Sequence, residues 1–266
     1  MSIILKVYRM IVSSVSIVGS MIKSFIIKRI DRFKAPDEIV NFNARTRNQW
    51  VMSKAKQLAP GSRVLDAGAG ECQYRVLFQH CDYKAQDFTA YAGTSFGSLL
   101  EKWEYGAIDY VCDITDIPVP DGSFDFIVCT EVLEHVPFPI ETIRELSRVL
   151  SSNGTLLLTA PLSSGLHQQP FHFYGGYSPH FYKKFLAECG LVIEEIKPIG
   201  GLMKHVAQEV LRVGRIIEER SPDKISLLMY YVLMCWLPKF LAKIDEGIFV
   251  EEFTVGYLVE ARKRLV

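Results

Sequence analysis

The amino-acid sequence predicts one α/β domain built on a mostly parallel, seven-stranded sheet. From Asn48 onward, short apolar segments alternate with helical ones, an order typical of parallel strands with helices on both faces of the sheet. The first apolar segment ends in an acidic residue followed by glycines, at the position where α/β sheets commonly bind ligands. At 266 residues, the chain has room for one such domain with additional helices, but not for two complete domains.

Seven short apolar segments are predicted as strands. They comprise residues 63–65, 83–86, 110–112, 124–129, 155–159, 191–196 and 254–261. A helix ending near Leu58 and the turn Pro60-Gly61 precede the first strand. The dipeptide Asn153-Gly154 supplies the turn into the fifth strand, and a helix between Ser178-Pro179 and Gly190 leads into the sixth.

Two strongly apolar segments lie outside this alternation, and both are predicted to be helical. In residues 3–27, polar side chains recur every three or four positions along one narrow stripe. The apolar stretch between Arg9 and Lys23 would span only about 20 Å as a helix, less than the bilayer core of about 30 Å. We therefore expect residues 1–34 to form an amphipathic helix on a membrane surface, with a partner-binding helix as the alternative. Residues 35–266 are predicted as the main domain, in which residues 203–246 form a helical insertion before the last strand.

Charge and cysteine usage narrow the classes of partner. Thirty basic residues balance thirty acidic ones and no basic stripe is present, so the sequence predicts no nucleic-acid binding. The six cysteines are scattered without a pair at metal-ligand spacing, which fits a reducing cytoplasm. The sequence therefore predicts no metal site, and it indicates no particular oligomeric state.

The turn after the first strand has the clearest ligand-binding pattern. Gly68 and Gly70 let the backbone bend sharply and approach a ligand, and Ala67 keeps the turn slim. A dinucleotide fingerprint would need a third glycine where Gln73 stands, and the Asp66 carboxylate would repel a pyrophosphate. Asp66 instead suits a ligand with a cationic end, such as the amino group and sulfonium of S-adenosylmethionine.

Over residues 48–191 and the last strand, the sequence resembles the class I S-adenosylmethionine-dependent methyltransferases. The first motif of this family is an acidic residue followed by glycines at alternate positions, as in the run from Asp66 to Gly70. Cys72 departs from the pattern, because many members have a third glycine there. The resemblance implies a Rossmann-like fold and S-adenosylmethionine as cofactor.

Two acidic residues at later strand ends extend the expected cofactor site. Asp87 follows Asp66 by about 20 residues, a spacing at which an acidic side chain can accept hydrogen bonds from ribose hydroxyls. The alternative for Asp87 is a solvated turn aspartate. The resemblance implies that Asp113 meets the adenine amino group and that Ile114 packs on the ring, whereas a turn-capping carboxylate is the alternative for Asp113.

The segment 124–136 resembles the fourth strand of the family and the loop that follows it. By this resemblance Thr130, Glu131 and His135 are expected to contact the cofactor, and Glu134 and His135 to shape the cofactor loop. His135 is also a candidate for proton transfer.

The loop after the fifth strand, residues 162–178, is expected to bind the acceptor. It reaches the ligand edge of the sheet, and Gly175-Gly176 would let it move as a lid. His172 is the candidate catalytic base and Tyr174 a lesser catalytic candidate, while a structural, aromatic-packed loop is the alternative. Upstream, Arg45, Arg47 and Trp50 either cover the cofactor or belong to a solvated helix face with one buried indole.

The expected reaction is attack of an acceptor atom, expected to be oxygen, on the sulfonium methyl group. The two apolar helical segments favour a lipid, lipid-linked or glycan acceptor, among them a polyprenyl-linked glycan or an isoprenoid quinone, and a soluble small molecule is the alternative. We accordingly expect the protein to lie in the cytoplasm, as a peripheral protein on the inner face of a membrane. An alternative from another class is a non-catalytic cofactor-binding or membrane-attached assembly factor that retains the fold.

Overall fold

The computed structural model describes residues 21–22, 25–26, 37–92, 104–221 and 225–264. These residues form two compact units. The sheet unit comprises the described parts of Asn43–Gly201 and Glu251–Val266. The helical unit comprises the described parts of Met1–Phe42 and Leu202–Val250.

Helices and strands alternate through the sheet unit as the sequence predicts. In chain order the elements are α1 (Asp37–Val40), α2 (Phe42–Ala55), β1 (Arg63–Ala67), β2 (Asp82–Asp87), β3 (Tyr110–Val111), β4 (Phe124–Thr130), α3 (Pro139–Val149), β5 (Leu150–Pro161), α4 (Pro179–Glu188), β6 (Leu191–Pro198), α5 (Leu202–Arg220), α6 (Leu227–Tyr231), α7 (Leu237–Gly247) and β7 (Gly256–Lys263). A 3₁₀ turn, Leu133–His135, follows β4.

The seven strands form one sheet in the order β3-β2-β1-β4-β5-β7-β6. All neighbouring strands are parallel except β7, which runs antiparallel to both β5 and β6. The predicted Rossmann-like, mostly parallel sheet is therefore confirmed. The strand order reverses between β1 and β4, and ligands of open α/β sheets bind beyond the carboxyl ends of the strands at such a switch point.

All seven predicted strands are present, with ends shifted by one or two residues except at β5. β5 begins at Leu150 because that residue already pairs with Phe124 across a register irregularity. Asn153 takes the left-handed conformation (φ 63°), so the predicted turn lies inside this strand. Helix α2 ends at Ala55 rather than near Leu58 because the amides of Gln57 and Leu58 bond to carbonyls three residues back, which tightens the turn.

Helices α3 and α4 pack on the sheet beneath the ligand edge. Leu65 and Ile127 of neighbouring strands lie in the same fully buried cluster as Leu146 of α3 and Tyr182 and Leu186 of α4. Burying each such apolar side chain contributes roughly 1.5–3 kcal/mol before conformational entropy is counted. This packing fixes the ends of β1 and β4, from which the loops of the site emerge.

In the helical unit, α5 packs against the helices that follow it. The shared buried residues are Leu211, Ile225, Tyr230, Met234 and Cys235. Gly214 allows this close approach, since a Cβ there would lie 2.4 Å from the Met234 sulfur. The predicted insertion over 203–246 is thus two helical runs, Leu202–Arg220 and Leu227–Gly247, the second with a π-helical turn at Val232–Trp236.

Two apolar segments bear on the predicted membrane contact. By length and composition alone, Leu227–Gly247 could cross a membrane, and it is the one such helix within the described ranges. Of the predicted helix over 3–27, the structure describes Met21, Ile22, Phe25 and Ile26, which are helical. The remainder lies outside the described residues, so the membrane-surface helix stays a prediction.

Candidate active site

A cavity of about 470 Å³ opens at the carboxyl edge of the sheet unit, around the β1/β4 switch point. Its walls come from the loops after β1, β2, β3 and β4, the loop after β5 and one side chain of α2. Of the residues predicted to bind the cofactor, it is lined by Asp66, Gly68, Gly70, Asp87, Asp113, Ile114, Thr130, Glu131 and His135. The structure therefore brings nearly the whole predicted cofactor set together; Ala67 is fully buried and is not among the lining residues.

The turn after β1 needs glycine at position 68 for two reasons. The backbone at Gly68 has a left-handed conformation (φ 71°), which residues other than glycine disfavour. A Cβ on Gly68 would also lie 2.5 Å from a methyl group of Val132 in the β4 loop. The amides of Gly68 and Ala69 both donate to the Gln86 carbonyl oxygen at 2.9 Å, which ties this turn to the end of β2.

Asp66 places a buried carboxyl group at the floor of the cavity. Its side chain accepts a hydrogen bond of 2.6 Å from the Tyr83 hydroxyl. Burial raises the pKa of Asp66 from 3.8 to about 7, a rise that the Tyr83 hydrogen bond opposes and the nearby Asp87 carboxylate reinforces. A cationic ligand group beside Asp66 would favour its charged form.

Asp87 connects the glycine turn to the loop after β2. One carboxylate oxygen accepts from the Gly70 amide and the other from the Thr89 amide, each at 2.9 Å. Asp87 is 6% exposed and lines the cavity, so the solvated-turn alternative does not describe it. Each oxygen has a second lone pair that could accept from a ribose hydroxyl.

The two residues after β3 differ in their surroundings. Ile114 is buried and presents an apolar surface to the cavity, as expected for contact with a flat ring. Asp113 is exposed, and its carboxylate accepts from the Thr115 amide at 2.9 Å and the Thr115 hydroxyl at 2.7 Å. Asp113 therefore caps its turn, which is the alternative that the sequence offers for this residue. It also lines the cavity.

Glu131 in the loop after β4 forms an ion pair with Arg47 of α2, a contact that the sequence does not predict. Glu131, left-handed at φ 54°, accepts from the Thr159 hydroxyl at 2.8 Å and lies 3.3 Å from the Arg47 guanidinium. Arg47 comes from α2 and lines the cavity, and its buried Nε has no hydrogen-bond partner among the described atoms. Trp50, in contrast, is buried and outside the lining. Neighbouring Tyr74 also lines the cavity.

Three histidines from two loops gather beside the cavity. The ring centroids of His135 and His167 lie 4.7 Å apart, and His172 is 4.6 Å from His167. His135 lines the cavity, whereas His172 and Tyr174 do not. The His172 Nε2 is 3.1 Å from the Ser164 hydroxyl, and Tyr174 donates to the Pro137 carbonyl at 3.0 Å.

Burial shifts the pKa values in this group. It lowers the pKa of His135 to about 4, which leaves the ring neutral at pH 7, and it also lowers the pKa of His172. Burial raises the pKa of Glu134 well above its ordinary value, and the nearby Glu131 carboxylate adds to this rise.

The loop over residues 162–178 is held against the β4 loop by backbone hydrogen bonds. The amides of Phe173 and Tyr174 donate to the Glu134 carbonyl oxygen at 2.9 and 3.2 Å. A Cβ on Gly176 would lie 2.4 Å from the Leu162 carbonyl group, so this glycine is required by close packing. Lid movement of this loop stays a prediction.

Comparison with known proteins places this geometry in a family. Residues 65–158 match the family model described as a methyltransferase domain, the part of the chain that contains the glycine turn and the β4 loop. The chain belongs to the class I S-adenosylmethionine-dependent methyltransferases. It is thus an enzyme whose cofactor is S-adenosylmethionine.

Relatives of this methyltransferase act on different acceptors. It is 27% identical over 206 residues to a sarcosine/dimethylglycine N-methyltransferase of Halorhodospira halochloris, covering 71% of each chain. It is 32% identical over 108 residues to a ubiquinone biosynthesis O-methyltransferase of Xanthomonas campestris, covering 40% of this chain and 45% of that protein.

A solved structure, described as a candidate sarcosine dimethylglycine methyltransferase from Galdieria sulphuraria, matches with a TM-score of 0.52 and 18% identity. That match covers 84% of the methyltransferase and 88% of the solved chain. It supports the fold alone.

The cavity of the methyltransferase fits its cofactor in charge and shape. The buried Asp66 carboxyl suits an ammonium group, and Gly68 and Gly70 leave the turn without side chains where a ligand would approach. When bound, S-adenosylmethionine supplies an activated methyl group. The residues that line the cavity would bind the cofactor and orient it toward the acceptor.

Proposed function

We propose that this methyltransferase transfers the methyl group to a hydroxyl oxygen of a small acceptor with an apolar body. One observation carries the proposal: the cavity lining divides into two chemical groups. Acidic and glycine residues after β1 and β2 suit the cofactor. The rings of Phe88, Phe171, Phe173 and His135 form the second group, which suits an apolar or aromatic acceptor.

The packing of these rings supports a defined acceptor pocket. Phe88 and Phe171 meet edge to face with centroids 4.9 Å apart, so the loop after β2 contacts the loop after β5. His135 Nδ1 lies 2.5 Å from the Phe171 carbonyl oxygen, which fixes the ring beside this wall. A rigid wall aligns the acceptor with the methyl carbon, which is the main requirement for an in-line displacement.

In this reaction a lone pair of the acceptor oxygen attacks the methyl carbon. The carbon–sulfur bond breaks, and its electron pair stays on sulfur in S-adenosylhomocysteine. The acceptor hydroxyl loses its proton to a general base, for which His172 is the candidate because burial lowers its pKa and keeps the ring neutral at pH 7.

An amine that carries a carboxylate is the second candidate acceptor. The buried Arg47 guanidinium lines the cavity and has an N–H without a partner among the described atoms, so it suits a carboxylate. The similarity to a sarcosine/dimethylglycine N-methyltransferase agrees with this candidate. The methionyl part of the cofactor also has a carboxylate, which Arg47 could bind instead. The aromatic wall therefore supports the hydroxyl acceptor more strongly than Arg47 supports the amine.

The two candidates can be separated by carbon-13 labelling. The purified enzyme is incubated with methyl-labelled S-adenosylmethionine and either a phenol panel or an amino-acid panel, with Asp66→Ala as the inactive control. We expect a labelled methyl ether from the phenol panel, identified by its carbon-13 chemical shift. Labelled N-methyl products alone would refute the hydroxyl acceptor in favour of the amine. Labelled methyl esters would exclude both the hydroxyl and the amine acceptor.

We further propose that the enzyme works on the cytoplasmic face of a membrane, with lipid-linked or glycan acceptors among its candidates. Trp236 and Phe240 support this location, because their rings stack at 5.3 Å and are 49% and 47% exposed. We expect Trp236→Asp to weaken sedimentation with anionic vesicles, while Val76→Asp, a change at an exposed apolar residue of the sheet unit, leaves it unchanged. Equal binding of both variants would refute this contact.

A further inference from the structure

We propose that Glu134, His135 and His167 bind a divalent transition-metal ion, and that zinc suits this ligand set best. Two imidazoles and one carboxylate are a known set of protein ligands for zinc with an open coordination position. One ligand atom from each of the three residues lies within 4.8 Å of the others. Ligands around a tetrahedral zinc ion lie about 3.4 Å apart, so small side-chain rotations would close the site.

The hydrogen bonds of the two imidazoles leave the correct nitrogens available. The Nδ1 of His135 lies 2.5 Å from the Phe171 carbonyl oxygen, and the Nδ1 of His167 lies 2.9 Å from that of Gly165. A carbonyl oxygen only accepts, so in both rings Nδ1 carries the proton and Nε2 keeps its lone pair. Metal-binding histidines commonly donate their second N–H to a carbonyl in this way.

The carboxyl group of Glu134 is the third ligand, and its surroundings call for a cation. The side chain is 1% exposed, and its Oε2 has no hydrogen-bond partner among the described atoms. Its Oε1 lies 3.7 Å from His135 Nε2, close to the spacing of two zinc ligands. A buried carboxylate without a partner is costly, and a bound cation would offset that cost.

The site adjoins the space where the acceptor is proposed to lie. His135 lines the cavity, so an ion held by its Nε2 can offer a free coordination position to an acceptor oxygen. This role rests on the proposed function, whereas ion binding itself does not. His172, 4.6 Å from His167 between ring centroids, stands next to the three ligands.

The test is a zinc titration of the full chain by calorimetry after removal of bound metal by a chelator. We expect one zinc ion per chain. His167→Ala should weaken zinc binding at least tenfold, while His180→Ala, a change at an exposed histidine outside the group, should leave it unchanged. Glu134→Gln should weaken binding as well. Circular dichroism of each variant shows whether the fold is retained.

Cobalt substitution identifies the ligands independently of the mutations. The chain has six cysteines, and a thiolate ligand would add intense near-ultraviolet absorption to the cobalt spectrum. We expect tetrahedral cobalt bands without that absorption. Thiolate absorption, absence of stoichiometric zinc binding, or unchanged binding by a folded His167→Ala variant would each overturn the site. Methyl transfer to the acceptor panels is measured separately, so failure of the proposed reaction leaves the zinc result interpretable.

Discussion

Binding of S-adenosylmethionine should depend on pH through Asp66. In the cofactor-free protein, burial raises the pKa of this carboxyl group to about 7. The ammonium group of the cofactor is attracted to the carboxylate and not to the neutral acid. With the ammonium group beside Asp66, protonation of this carboxylate competes with binding, and we expect affinity to fall as the pH drops below 7.

The size of this effect follows from the pKa. If only the carboxylate form binds, the dissociation constant rises by the factor 1 + 10^(pKa − pH). For a pKa of about 7, this factor is about 2 at pH 7 and about 30 at pH 5.5. Affinity should therefore weaken about 16-fold over this range, or about 1.6 kcal/mol. The amino group of the cofactor stays mostly charged at these pH values, since α-amino groups titrate near about 7.7–8.0.

Calorimetry at both pH values, in two buffers with different ionisation enthalpies, measures affinity and proton release together. Asp66→Asn is the matched control and should bind more weakly but with a much flatter pH profile. Tyr83→Phe should move the midpoint to higher pH, because the Tyr83 hydroxyl stabilises the carboxylate. A wild-type affinity that does not change with pH, or an equal slope in Asp66→Asn, would refute the reasoning.

Three further changes test other parts of the molecule. Gly68→Val should abolish cofactor binding and lower the free energy of unfolding by roughly 2 kcal/mol or more, because φ is positive there and a Cβ meets Val132. Calorimetry measures the binding and chemical denaturation measures the stability. Wild-type values of both quantities would contradict the prediction. His172→Ala should reduce turnover and leave cofactor affinity nearly unchanged, and Tyr174→Phe should reduce turnover less. Steady-state kinetics measures this effect. Full activity in His172→Ala would show that the loop has a structural role at this residue. Deletion of residues 3–27 should reduce sedimentation with anionic vesicles and preserve cofactor binding; an unfolded deletion variant would instead assign that segment to the core.

The residues predicted to bind the cofactor line one cavity because the signals that select them are local. Asp66, Gly68, Asp87 and Ile114 each stand at or just after the end of a strand. Parallel strands bring their carboxyl ends to the same edge, so identifying the strands was enough to gather these residues. The sequence does not decide whether Arg47 covers the cofactor or lies on a solvated helix face, because its place depends on how α2 lies against the sheet.

On the acceptor side, the surroundings of Gly176 and His172 depend on tertiary contacts. The sequence predicts lid movement at Gly176, and the structure adds a packing reason for glycine, because a Cβ there would clash with the Leu162 carbonyl. His172 was the candidate base, yet His135 is the histidine that lines the cavity. Both outcomes depend on contacts between the loops after β4 and β5, which no local pattern encodes.

The sequence by itself determined the seven strands, the glycine turn and the acidic strand ends, since apolar runs and turn residues act over a few neighbouring positions. Tertiary structure alone decided that β7 enters antiparallel between β5 and β6, and that the insertion after Gly201 belongs to a helical unit of its own. It also decided the grouping of Glu134 and His135 with His167, residues more than thirty positions apart in the chain. Such a grouping exists only when two loops are bonded to each other, here through the Glu134 carbonyl and the amides of Phe173 and Tyr174. The physical reason is that side chains from distant segments meet only after the sheet has fixed the points from which their loops emerge.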